Sequence, residues 1–142
     1  MAPPISVRNL QRGVRVDIAA LRKAAGQILE MVARISRKTP TPLQKLEEIS
    51  VLLISDKRMA GLHRQFLHRD GPTDVITFDH GEIFISAETA RRQAKQFGSS
   101  LADELQLYVI HGLLHLHGFD DGDSRDAREM KRTQEKIMVA LK

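Results

Sequence analysis

Two imidazoles, His111 and His115, stand four residues apart in a stretch that reads as helix, and an aspartate, Asp121, follows the glycine at 118. Residues four apart on an α-helix project from the same face, so both rings can bind one cation. Gly118 permits the backbone conformation that ends a helix, and the chain beyond it can fold back until the Asp121 carboxylate approaches the two rings. Two histidines and a carboxylate hold zinc and leave a fourth position open to water, which is the arrangement of a catalytic ion. Zinc in such a place lowers the pKa of water and polarises a phosphoryl or carbonyl oxygen, so the chemistry to expect is hydrolysis. The chain has no cysteine, which excludes thiolate ligands and a disulfide framework.

Other residues compete for the same roles. Asp120 and Asp123 can also be presented by the turn, and spacing alone does not choose among the three aspartates; their ordinary use is to cap the helix that follows. His117 lies six residues after His111 and points well away around a regular helix, which suits a surface or supporting position. Gly112 stands where a zinc peptidase of the His-Glu-x-x-His kind has its general base, and it has no proton-accepting side chain. It allows either tight packing or a close approach of backbone or substrate. Thr73 and Asp74 precede a strand, where such residues usually bond to nearby backbone. No general acid or base and no organic-cofactor site is identifiable, so the catalytic residues stay unassigned.

The elements that must position these groups follow from periodicity. Ile5 and Val7, with Leu10 as a possible extension, alternate as a first strand; Asp17 can cap a helix carrying Ile18, Leu21, Ala25, Ile28, Leu29 and Val32 on one stripe. Residues 38–45 contain Pro40 and Pro42 and read as a loop within one domain. The β-branched run Ile49 to Ile54 predicts a strand buried on both faces. Asp56 is the expected N-cap of a short helix to Leu67 that turns Met59, Leu62 and Phe66 inward and is broken by Gly71 and Pro72. Val75 to Phe78 and Ile83 to Ile85 predict a hairpin about Asp79-His80-Gly81. A polar helix runs from Ser86 to Gly98, a capping box of Ser100 and Asp103 opens a core helix through Leu116, and a last helix starts near Asp123. Strands and helices without strict alternation predict an α+β fold, one domain over residues 1–142 with a small mixed sheet, several helices and the metal site on the penultimate helix and following turn.

Composition sets the outer bounds. The chain has 142 residues, 42% of them hydrophobic and 28% charged, enough for one globular core. No segment has the apolar length to cross a bilayer, and residues 1–16 carry Arg8, Arg12 and Arg15 in place of a secretory apolar stretch, so a cytoplasmic location is expected. The net charge is +4 and the isoelectric point about 9.7, which favours an acidic partner such as nucleic acid. With 4% aromatic residues, a stacking platform of the RNA-recognition-motif kind is not expected, and charge and shape would do most of the holding.

The stretch His111-Gly-x-Leu-His115-Leu-x-Gly118-Phe-Asp120 resembles the HGxLHLxGYDH signature of the YbeY family of metal-dependent endoribonucleases. Pro72-Thr73-Asp74-Val75-Ile76-Thr77-Phe78 is similar to that family's PTDVLSF segment, Gly81 to Ser86 to its GDIxIS strand, and Met130 and Gln134 fall where its last helix has them. The resemblance runs from about Val51 to Leu141. It implies an α+β fold, one zinc ion per chain, cleavage of single-stranded RNA, and a role in ribosomal RNA maturation and ribosome quality control with the small ribosomal subunit as partner.

The chain departs from the family pattern at several positions. Asp121 stands where the family has its third zinc-binding histidine; aspartate is a competent ligand, but its charge offsets part of the ion's. Leu67, after Phe66, stands where the family has an arginine, with Arg64 and Arg69 as candidate replacements. His63 replaces an asparagine and reads as a half-exposed helix residue, and Asp79 replaces a proline. Three readings follow: a zinc-dependent endoribonuclease, a ribosome-assembly factor that keeps a structural zinc and cuts little, and, last, a zinc peptidase.

Overall fold

The computed structural model describes residues 2–68 and 73–142. Strand β1 (Ile5–Asn9) leads to helix α1 (Ile18–Ala33), which starts where the Asp17 carboxylate accepts the Ala20 N–H at 3.0 Å and satisfies a donor that every helix start leaves unpaired. Its stripe of Leu21, Ala25, Ile28, Leu29 and Val32 is buried. The stretch expected to be loop throughout winds into one helical turn, α2 (Pro42–Lys45). Pro42 takes the first helical position, where its missing N–H costs nothing, and the Gln44 side chain accepts the Thr41 N–H at 2.9 Å.

Strand β2 (Ile49–Ile54) is buried on both faces, as its unbroken apolar run predicts. Helix α3 (Asp56–Leu67) is capped by Ser55, whose hydroxyl accepts the Arg58 N–H at 3.2 Å; the expected cap, Asp56, is instead its first residue. The Asp56 carboxylate is engaged elsewhere, accepting from the Ser86 hydroxyl, from the Thr89 hydroxyl at 2.8 Å and from Arg92 at 2.6 Å. Partial burial raises this carboxyl, but the hydrogen bonds and the Arg92 charge outweigh it and hold the group below its ordinary range. Met59 is fully buried and Leu62 partly so, but Phe66, expected inside, is 49% exposed. The last turn of α3 from Arg64 onward is exposed along its length, and the Phe66 ring there meets Phe78 edge-on at 5.2 Å instead of entering the core. The expected helix breakers, Gly71 and Pro72, lie outside the described residues.

Strands β3 (Val75–Thr77) and β4 (Glu82–Ser86) form the expected hairpin, antiparallel with Ile76 opposite Phe84. Its turn closes through the Gly81 N–H on the Phe78 carbonyl at 2.9 Å. Gly81 has φ +106°, and a Cβ there would come within 2.7 Å of the Glu48 carbonyl oxygen, so only glycine fits. Helix α4 (Ala87–Phe97) runs from a Ser86 cap to Gly98 at φ +71°. Helix α5 (Leu101–Leu116) begins where the Ser100 hydroxyl accepts the Asp103 N–H at 3.0 Å, while the Asp103 carboxylate meets Lys142 at 3.0 Å. Helix α6 (Ser124–Leu141) begins at Asp123, which accepts the Asp126 N–H at 2.8 Å.

The sheet order is β1-β2-β4-β3. The first three strands are parallel and β3 is an antiparallel edge. Side chains alternate across a strand, so Val51 and Leu53 pack with α1 and α5 on one face, while Leu52 and Ile54 meet Met59, Ile76 and Phe84 on the α3 face. The described residues therefore form a small α+β domain with a mixed four-stranded sheet and six helices. No helix among them is long and apolar enough to cross a membrane.

Candidate metal centre

Helix α5 is apolar on most of its circumference, with Leu105, Val109, Ile110, Leu113, Leu114 and Leu116 all buried, and this fixes it across the sheet. It comes close to the sheet at Gly112: a Cβ there would lie 2.8 Å from Ile83 Cγ2 and 3.1 Å from Thr77 Oγ1. Of the two roles open to Gly112, tight packing on the β3–β4 hairpin is the one realised. A glutamate at this place, as a peptidase would need, has no room.

With the helix so held, His111 and His115 stand side by side and half-buried, their rings edge-on at 75° and 4.6 Å between centroids, their Nε2 atoms 3.1 Å apart. Asp121 Oδ2 lies 3.9 Å from the first Nε2 and 4.0 Å from the second. Among the described residues these three form a group that could hold a metal ion, with one ligand atom from each and all within 4.8 Å of one another. Tetrahedral zinc with bonds of about 2.1 Å spaces its ligand atoms by about 3.4 Å, so donor types and spacings both fit. Asp121 is 51% exposed in its side chain, which leaves one side of the group open to solvent.

Burial and the neighbouring His115 hold the His111 imidazole below its ordinary value, against the opposing pull of Asp121, Asp74 and a hydrogen bond to the Gln134 side chain of α6. A neutral imidazole is the form that binds a cation.

The turn that brings Asp121 back is a left-handed helix ending. Gly118 has φ +86°, its N–H reaches the His115 carbonyl at 3.1 Å, and the Phe119 N–H reaches the Leu114 carbonyl at 2.9 Å, the paired bonds of a Schellman motif. Asp123 caps α6 and Asp120 accepts the Gly122 N–H at 3.1 Å, so both rivals of Asp121 are used locally. His117 points away from the pair as expected, but it is not a surface residue: it is 1% exposed. Its Nε2–H donates to the Ile35 carbonyl at 2.7 Å, which leaves Nδ1 to accept from the Thr41 hydroxyl at 3.1 Å.

The histidine pair opens into a groove of about 240 Å³ whose other walls are Leu67, the edge strand from Val75 to Thr77, and Asp79. A larger cavity of about 470 Å³ lies beside His117, between Ala2, Pro3, Arg34 and Leu43, and contains none of the three groups. Asp74 behaves as strand-entry residues do, accepting the Val75 N–H at 2.8 Å. Its charge also reaches His111 and Tyr108. Tyr108, one turn before His111, has its hydroxyl pushed well up by burial and by Glu104. His63 is half-exposed on α3; Arg64 lies on its exposed last turn, and Arg69 falls outside the described residues. The sequence marks Asp79 as a departure from the family pattern and Thr77 as part of a strand motif, but neither as a groove residue, because their place in the groove depends on pairing across the hairpin.

The family model described as Endoribonuclease YbeY matches residues 6–142. The chain is similar to the protein named Endoribonuclease YbeY of Thermobifida fusca, 34% identical over 95% of this chain and 92% of the relative. The proteins of the same name from Pelotomaculum thermopropionicum, 31% identical over 97% of each chain, and Bacteroides thetaiotaomicron, 37% identical over 68% of this chain and 75% of the relative, are similar too. Its fold matches the solution structure of a Thermotoga maritima protein with TM-score 0.64 and 27% identity, covering 96% of this chain and 89% of that one.

Proposed function

Because this chain belongs to the YbeY family, we propose that it is a zinc-dependent endoribonuclease specific for single strands, one domain over residues 1–142, acting in the cytoplasm on ribosomal RNA and the small ribosomal subunit in rRNA maturation and ribosome quality control. His111, His115 and Asp121 are the proposed ligands of one zinc ion. The observation that carries the reading is the meeting of their three donor atoms, two of them on histidines that line a groove, on a protein with a net charge of +4.

When bound, zinc supplies Lewis-acid polarisation of a phosphoryl oxygen and lowers the pKa of water. The protein's own part is positional. Helix α5 orients the two imidazoles, the Gly118 turn brings the carboxylate, and the Gly112 contact sets the distance from the helix to the edge strand that walls the groove. Surface arginines and lysines hold the RNA backbone by neutralising phosphates.

Leu67 supports a second reading. It lines the groove at the position where the family pattern has an arginine, and an alkyl side chain cannot donate to a phosphate. A ribosome-assembly factor with a structural zinc fits that wall.

Purified protein incubated with single-stranded RNA separates the two. Divalent-metal-dependent cutting that His115→Ala abolishes is the expected result; RNA binding without cutting, in a protein that holds zinc, overturns the enzyme reading in favour of the factor.

A further inference from the structure

We infer that Phe66, Phe78 and His80 form a stacking subsite for an unpaired nucleobase on the rim of the groove that holds the histidine pair. The inference rests on the reading of the groove as a site for single-stranded RNA.

The chain has five phenylalanines and no tryptophan, yet three of those phenylalanines are gathered here. From the core outward, Phe84, buried under α3, meets Phe78 edge-on with centroids 5.8 Å apart. Phe78 in turn meets Phe66 edge-on at 5.2 Å and stacks on His80 at 5.4 Å with the rings 12° from parallel. The two outer rings face water, Phe66 at 49% and the His80 side chain at 65%. His80 Nε2 bonds Glu82 at 2.6 Å, which fixes its ring. The result is an aromatic ledge anchored at its inner end in the core.

Two separate chain segments tie the ledge to the groove. Leu67 follows Phe66, and Asp79 lies between Phe78 and His80; both line the groove with His111 and His115. Adjacent residues have Cα atoms about 3.8 Å apart, so a nucleotide whose phosphate enters the groove can lay its base on the rim. A protein partner is less well served. Phe66 and Leu67 are the large apolar side chains exposed at this place among the described residues, far less than the roughly 800 Å² per side of a stable interface. A flat π surface beside the groove suits a base, since every base has a face to stack.

The test uses a single-stranded RNA carrying 2-aminopurine, with the native protein, Phe66→Ala and Phe66→Tyr. Phe66 is chosen because its exposure keeps the fold intact. The expected result is quenching of the 2-aminopurine on binding, lost in Phe66→Ala together with a rise in KM of about 5- to 140-fold, the worth of one aromatic–base stack, while kcat is kept and Phe66→Tyr restores both. Wild-type protein that cuts this RNA in a metal-dependent way, alongside a Phe66→Ala variant with unchanged quenching and KM, overturns the stacking subsite alone and leaves the exposed ring to a protein contact. Native protein that neither binds nor cuts RNA overturns the parent reading and this one with it.

Discussion

The guanidinium of Arg37 lies 3.9 Å from the centroid of the Phe119 ring, over its face. From there it donates to the Gly118 carbonyl at 3.0 Å and to Glu129 at 3.3 Å. One side chain from the α1–α2 loop thus grips the turn between His115 and Asp121 and ties it to α6. Two residues earlier, the Ile35 carbonyl is held by His117, so the loop is fastened to the end of α5 at two points.

Removing that grip should loosen Asp121 against the histidines. Arg37→Ala is expected to lower zinc affinity about tenfold, as loss of a group that orients a ligand commonly does, and to cost about 1–2 kcal/mol of stability for the lost cation–π contact and hydrogen bonds. Arg37→Lys keeps the charge but cannot fork to Gly118 and Glu129 together, so it should recover only part of the affinity. Competition titration against a chromophoric chelator measures this; equal affinities in all three proteins would contradict it.

Gly112→Ala probes the contact between α5 and the hairpin. Alanine favours the helix by about 1 kcal/mol, but its Cβ would sit 2.8 Å from an Ile83 methyl, and overpacking of this kind costs about 1–3 kcal/mol. The net expectation is a loss of about 1 kcal/mol in denaturant unfolding, with reduced RNA cleavage as Thr77 and the edge strand move outward. Gly112→Ala in an Ile83→Val background should recover little of the loss, since valine lacks the Ile83 Cδ1 but keeps Cγ2, the nearer of the two clashing atoms, whereas Ile83→Ala removes both and should relieve the clash at the cost of a cavity.

Much of this arrangement is legible in the sequence where the cause is local. The caps at Asp17, Ser86 and Gly98, the strand buried on both faces at Ile49–Ile54, and the meeting of His111 with His115 each depend on residues a few positions apart. What escapes is decided by distant partners. Ser55 and Asp56 are both good caps by type, and the choice between them is made by Thr89 and Arg92 more than thirty residues away. Phe66 follows the helical period of Met59, but periodicity does not tell how far along a helix its buried contacts extend. His117 has the right direction by helix geometry, yet its burial comes from Ile35 and Thr41, which approach only through the packing of α1 and α2. The groove walls Thr77 and Asp79 are hidden for the same reason.

Protonation should set the acid limit of metal binding and of stability together. Burial and His115 hold the His111 imidazole below its ordinary value of 6.5, so the folded state favours the neutral ring more than the unfolded chain does. That contribution to stability is present above the unfolded value and is lost as the pH falls through the folded one. The metal-free protein is therefore expected to lose thermal stability below about pH 6.5. Zinc should raise the melting temperature at pH 7.5 and no longer do so near pH 5, because protons displace it. His111→Ala should flatten the acid slope and abolish the zinc effect. Melting curves against pH, with and without zinc, check both, and a zinc-induced rise of equal size at pH 5 would refute the assignment.

Leu67 offers a gain-of-function test of the groove. It lines the same space as His111 and His115, it is half-exposed at the end of α3, and it stands where the resemblance to the family pattern implies an arginine. A guanidinium there would present paired donors to a phosphate whose charge grows in the transition state, and such donors are worth about 10²–10³ in rate when they are lost from a preorganised site. A reintroduced arginine lacks tailored support, so Leu67→Arg is expected to raise kcat on single-stranded RNA by about tenfold, a small part of that range. Leu67→Lys, a point charge without the fork, should lower KM with little change in kcat. Stability should shift little in either variant, because Leu67 contributes little to the core. If Leu67→Arg binds RNA more tightly but cuts no faster, the groove lacks the transition-state geometry that the hydrolase reading requires, and the assembly-factor reading gains the ground.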